Sequence, residues 1–162
     1  MKPTDNPTGE VKDLGDSLFY SRCKFSTALP KQHRYTAGHF WLTMQEPDLW
    51  RVGFTKFAVR MLGDFVELQI DAKPGDSVRV ADVIGWYEGM KALTDLLCVL
   101  DGGFEGANPA LAEDGELTRS DPHDKGWLYE VRGTPDAGSV DVNGYIAALD
   151  ATIDRRQEDD PA

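Results

Sequence analysis

Cysteine is almost missing from this chain: only Cys23 and Cys98 occur, far apart and in no metal-type spacing. That excludes a disulfide-stapled scaffold and a cysteine-ligated metal centre, and leaves two reduced thiols as the expectation. Long apolar runs are missing too. No stretch approaches the roughly 20 residues that a membrane-spanning helix needs, and Met1-Lys2-Pro3-Thr4-Asp5 lacks the apolar core of a secretory signal. His39 and His123 have no nucleophile or ligand partner, so His39 reads as structural and His123 as a surface loop residue. Positive charge is short, 17 basic residues against 28 acidic ones, for a net charge of −11. Such a surface repels phosphate backbones and anionic lipid, which sets nucleic-acid and membrane binding aside. It suits docking to proteins with basic rims. A cytoplasmic location follows as the expectation.

What is present is a globular sequence, 41% hydrophobic and 10% aromatic, of a length that suits one domain with a tail at each end. Residues 1 to about 16 are polar and read as a disordered or loosely docked leader. The stretch from Leu18 to Tyr35 reads as a short strand leaning on the domain. Between Tyr35 and Arg132, short apolar runs alternate with turn residues, as in Trp50-Arg51-Val52-Gly53-Phe54 and Phe65-Val66-Glu67-Leu68-Gln69-Ile70. That pattern indicates a sandwich or barrel of short strands.

Two short helices interrupt the strands. Thr55 caps one carrying Phe57, Ala58, Met61 and Leu62, which stops at Gly63, and Pro109 starts another over Ala110-Leu111-Ala112. Asp141 caps a longer C-terminal helix whose Val142, Tyr145, Ile146, Leu149 and Ile153 share one face, and which must dock to be stable. The last residues, Arg155 to Ala162, read as a charged, frayed tail.

The segment Glu88-Gly89-Met90-Lys91-Ala92-Leu93-Thr94-Asp95 places a lysine between two carboxylates, three residues after one and four before the other. On a hairpin tip such an amine is a handle for acylation. Periodicity alone gives a different answer. Met90, Leu93, Leu97 and Leu100 fall at helical spacing, so the local pattern leaves helix and hairpin both open.

The wider series decides for the hairpin. Tyr35-Thr36, His39-Phe40-Trp41, Val52-Gly53-Phe54-Thr55, Leu62-Gly63-Asp64-Phe65-Val66-Glu67-Leu68, Gly75-Asp76, the lysine segment, Asn108, Ala110-Leu111, Asp121-Pro122 and Gly126-Trp127-Leu128 follow in order. The region resembles the H-protein of the glycine cleavage system, a lipoyl-carrying subunit, and the C-terminal helix extends the match to about Ile153.

The resemblance implies a mostly β fold, a barrel-sandwich hybrid of the lipoyl and biotinyl type with short helices and a C-terminal helix. It divides the chain into a leader (1–34), a carrier domain (35–133), a linker with its docked helix (134–154) and a tail (155–162). It implies lipoate on Lys91, with Glu88 and Asp95 as marks for the modifying enzyme. Asp64, Glu67, Trp86 and Tyr87 would form a rim where the arm parks, although core packing is the simpler reading of Trp86 and Tyr87. The implied role is that of a carrier rather than an enzyme. It moves an aminomethyl group from glycine decarboxylase to an aminomethyltransferase, is reoxidised by dihydrolipoyl dehydrogenase, and is loaded by a lipoate ligase, or an octanoyltransferase with lipoyl synthase.

The chain departs from the family pattern in places. Gly89-Met90 stands where the family usually has Ser-Val, Phe40 where it has Glu, and Val99 where a proline is common. These departures bear on partner identity, and they keep open an H-like carrier for sulfur transfer or lipoyl relay. Met90 beside Lys91 echoes biotin carriers, a pattern that Ala92 breaks. An unmodified interaction module is the remaining alternative.

Overall fold

The structure, a computed structural model, describes residues 8–159. The chain starts with β1 (Glu10–Asp13), β2 (Ser17–Arg22) and β3 (Phe25–Pro30), a three-stranded antiparallel meander in that order. In β2 the buried residues are Leu18, Tyr20 and Arg22, and in β3 they are Phe25, Thr27 and Leu29, the period of two that a half-buried strand requires. The leader is therefore built, not loose: β1 lies within the stretch read as disordered or loosely docked, and the stretch expected to hold a single leaning strand holds both β2 and β3, with a further short strand at its end. Residues 1–7 of that leader lie outside the described residues.

Then follow β4 (Arg34–Tyr35), β5 (Phe40–Glu46), β6 (Leu49–Phe54), α1 (Lys56–Leu62), β7 (Phe65–Ile70), β8 (Ser77–Val78), β9 (Val83–Gly89) and β10 (Leu93–Leu97). The chain continues through β11 (Leu100–Ala107), α2 (Ala110–Glu113), α3 (Leu117–Ser120), β12 (Tyr129–Pro135) and α4 (Val142–Asp159). One sheet has six strands in the order β4-β5-β6-β12-β11-β8, and the other has three in the order β10-β9-β7. They enclose a core that includes Leu42, Val52, Phe54, Leu96, Phe104 and Val131. Tyr129 fastens one sheet to the other: its buried hydroxyl donates to the Leu97 carbonyl at 3.0 Å and accepts from the Val99 N–H at 3.1 Å. This is the expected mostly β barrel-sandwich hybrid.

The helices stop and start where the sequence directs. Thr55 caps α1, its hydroxyl accepting from the Ala58 N–H, and Gly63 ends it at φ 84°, where a side chain would be strained. At α4 the Asp141 carboxylate accepts from the Gly144 N–H at 2.8 Å. Helix α4 runs to Asp159, so the tail read as frayed from Arg155 is helical that far, and residues 160–162 lie outside the described residues.

The apolar face of α4 makes a second core with the β1–β3 sheet and with Tyr35, Trp41 and Phe57. Asp150 is its polar centre. It accepts from the Gly9 N–H at 2.9 Å, the Tyr20 hydroxyl at 2.7 Å and the Arg22 guanidinium at 3.3 Å, while Asp154 pairs with the other end of Arg22. A charge as buried as Arg22 is tolerable only because it is paired in this way.

His123 is not the surface residue expected. It is half-buried, its Nε2 accepts from the Lys56 N–H at 3.1 Å, and burial pushes its imidazole down to about 4, with the nearby His33 adding to the effect. His39 is structural, as read: its Nδ1 meets the Tyr145 hydroxyl at 2.8 Å. Among the described residues no helix is long and apolar enough to cross a membrane.

Candidate functional site

The hairpin β9–β10 carries Lys91. Glu88 pairs with Leu93 across it, and the Gly89 N–H donates to the Ala92 carbonyl at 2.9 Å, which leaves Met90 and Lys91 as the bend. A helix through Met90, Leu93, Leu97 and Leu100 would have buried those residues together. Instead Met90 and Leu93 are 74% and 67% exposed while Leu100 is buried, and within β10 the exposed Leu93, Asp95 and Leu97 alternate with the more buried Thr94 and Leu96, as in a strand.

Two backbone contacts fix the bend. The Met90 N–H donates to the Asp64 carbonyl at 2.8 Å and the Lys91 N–H to the Leu62 carbonyl at 2.9 Å. The corner where α1 turns into β7 thus holds the backbone of the tip, leaving both side chains exposed. Glycines allow this approach: a Cβ on Gly89 would lie 2.1 Å from the Leu62 carbonyl oxygen, and one on Gly63 would lie 2.8 Å from Lys91 Cγ. The Lys91 ammonium makes no ion pair among the described residues. An exposed, unpaired amine on a pinned backbone fits an acyl group that must be both attached and free to swing.

The register places the flanking residues. Glu88 is half-buried and stands opposite Glu67 of β7, and Asp95 is exposed opposite Trp86. Glu88, Asp95 and the half-buried Trp86 line one depression of about 550 Å³ with Leu93 and Thr94. Asp64 is exposed and pairs with Arg119 of α3. Tyr87 is fully buried, its hydroxyl 2.7 Å from that of Thr118 and its ring edge-on to Phe54, so it belongs to the core and lines no accessible rim.

Two elements of the site escaped the sequence reading. Arg119 carries no local signal of a contact with Asp64. The β2–β3 turn, inside the supposed leader, lines a groove of about 820 Å³ beside Lys91.

Two sheets wrapped in this way, with a lysine at the bend of one hairpin, define the fold class of the lipoyl- and biotinyl-type carriers. The family model described as glycine cleavage H-protein matches residues 33–143. A glycine cleavage system H protein of Bacteroides fragilis is 34% identical over 125 residues, covering 75% of this chain and 98% of its own length. One from Psychrobacter is 34% identical over 104 residues, covering 64% and 82%. The crystal structure of a glycine cleavage system H protein from Mycobacterium marinum superposes with a TM-score of 0.69 at 31% identity, covering 75% of this chain and 98% of that one. The chain belongs to the glycine cleavage H-protein family.

Proposed function

We propose that this protein is a lipoyl carrier of the glycine cleavage system, with Lys91 as its attachment residue. The observation that carries the reading is the exposed lysine on a bend whose backbone is held by the Leu62 and Asp64 carbonyls. Lys91 Nζ supplies the amine that becomes an amide: the ammonium gives up two protons and keeps one, the nitrogen bonds to the acyl carbon of an activated donor, and the bond from that carbon to the donor's phosphate or thiolate leaving group breaks. The backbone clamp keeps that nitrogen at a projecting position, where a modifying enzyme can close around it. Glu88 and Asp95 are the recognition marks. Asp64, Glu67 and Trp86 rim the tip.

When bound, the lipoyl group supplies a dithiolane that holds the carried fragment and passes electrons on. The protein supplies reach and tethering, which raise the effective concentration of the cargo at each partner. The fragment is an aminomethyl group moved from glycine decarboxylase to aminomethyltransferase, with dihydrolipoyl dehydrogenase completing the cycle. Loading is by lipoate ligase, or by octanoyltransferase followed by lipoyl synthase. On this reading the protein is a cytoplasmic carrier subunit with no catalysis of its own, and residues 35–133 are the carrier domain, with the rest as leader, docked helix and tail.

Intact mass spectrometry of protein from lipoate-replete cells tests attachment. The expected result is a lipoyl or octanoyl increment confined to the peptide containing Lys91 and lost in Lys91→Arg. Unmodified protein in the presence of a competent ligase refutes it. Glycine–bicarbonate exchange with a cognate glycine decarboxylase tests the pathway, and no exchange by lipoylated protein sends it to a different one.

A further inference from the structure

The β2–β3 turn, α1 and α4 surround the groove of about 820 Å³ that has Lys91 and Ala92 on its edge. That volume lies in the range of small-molecule sites, roughly 300–1,000 Å³. Part of its lining is apolar and comes from three separate elements: Phe25, Phe57 with Met61, and Ile153. Among the described residues the charged part is of one sign: every charged residue on the groove is basic, in a chain where acidic residues outnumber basic ones 28 to 17.

These cations differ in what they have left to offer. Arg22 is committed to Asp150 and Asp154. Lys24, Arg60 and Arg156 are exposed and form no ion pair among the described residues. The Arg60 guanidinium lies 5.6 Å from the centroid of the Phe25 ring and donates to the Lys24 carbonyl at 3.2 Å. One cation is therefore fixed where the apolar lining meets solvent. An apolar lining alone accepts any hydrocarbon chain. Unpaired cations at its margin select a chain that ends in an anion and reject one that ends in an ammonium.

We propose that this groove binds a free medium-chain carboxylic acid, its hydrocarbon chain on Phe25, Phe57 and Ile153 and its carboxylate among Lys24, Arg60 and Arg156. The site needs no acyl group on Lys91, so it goes beyond the carrier reading and stands or falls separately from it.

Isothermal titration calorimetry on the full chain tests the proposal, using unmodified protein and Lys91→Arg, which keeps the charge but cannot be acylated. Octanoate binds both. Decanoate binds about fifteenfold more tightly, at roughly fourfold per buried methylene. Octylamine, with the same chain and the opposite charge, binds at least tenfold more weakly than octanoate. The double variant Arg60→Gln/Arg156→Gln loses at least tenfold in octanoate affinity, and since both residues are exposed it keeps the parent's circular dichroism. Equal binding of octanoate and octylamine, no binding of either, or an unchanged affinity in the folded double variant overturns the proposal. None of these outcomes alters the mass increment expected at Lys91, and an absent increment leaves the titration as it is.

Discussion

Gly89 opens the bend that carries Lys91, and placing a serine there tests how tightly the tip is held. A Cβ built on Gly89 lies 2.1 Å from the Leu62 carbonyl oxygen, 2.7 Å from the Leu62 carbonyl carbon and 3.0 Å from the Gly63 oxygen. All three are backbone atoms, and no side chain can rotate away to relieve the contact. Ordinary separation requires the hairpin to retreat by roughly 1 Å. A retreat of that size breaks the Lys91–Leu62 bond at 2.9 Å and the Met90–Asp64 bond at 2.8 Å. Two hydrogen bonds at about 1 kcal/mol each and about 1–3 kcal/mol of overpacking make Gly89→Ser cost about 3–5 kcal/mol. In a chain of this size that is a fall in Tm of about 6–20 °C. Calorimetry and urea unfolding give the cost, and amide exchange at Met90 and Lys91 should quicken. Gly103→Ala is the control, because its added Cβ meets nothing within 4 Å. A Gly89→Ser protein within about 0.5 kcal/mol of the parent, with unchanged exchange at the tip, refutes the argument.

Other outcomes follow from the same geometry. Arg22→Met leaves Asp154 without its partner and deprives Asp150 of one of three donors, so urea unfolding should show a loss of about 3 kcal/mol, and a loss below about 1 kcal/mol would show that the pair carries little. Burial holds His39 and His123 near about 4, against about 6.5 in the unfolded chain. The unfolded chain therefore takes up protons first: stability holds above about pH 6.5, falls as pH drops from there toward about 4, and levels off below. Each histidine contributes at most about 3 kcal/mol to that fall, His123→Gln should flatten it, and urea midpoints equal at pH 7 and pH 5 contradict it. Tyr87→Phe should cost about 1 kcal/mol, since Thr118 keeps its bond to the Gly115 carbonyl, and should leave acylation of Lys91 untouched. Impaired acylation in that folded variant would return Tyr87 to the rim.

Much of the carrier fold is legible from local chemistry. Thr55 and Gly63 bound α1, Asp141 opens α4, and the alternating runs give the strands. The hairpin around Lys91 is different. Leu93 and Leu97 are exposed strand residues that happen to fall at helical spacing with Met90 and Leu100. Only the ordered series of the family separates the two readings. The leader was illegible for another reason. Its inward residues in β2 include Arg22, which reads as solvent-facing until Asp150 and Asp154, more than a hundred residues later, come beside it. Partners so distant in sequence leave no local trace, and the groove beside Lys91 stayed hidden with them. Tyr87 was ambiguous because an aromatic beside an exposed tip looks the same in sequence whether it points in or out.

The polar knot at Asp150 has a mechanical consequence. Gly9, Tyr20 and Arg22 all reach one turn of α4, so the beginning and end of the described chain close on each other like a buckle. Tension applied between the two ends loads this buckle first, in single-molecule pulling or when a protease unfolds the chain from a terminus. The strands that present Lys91 feel no load until it has given way.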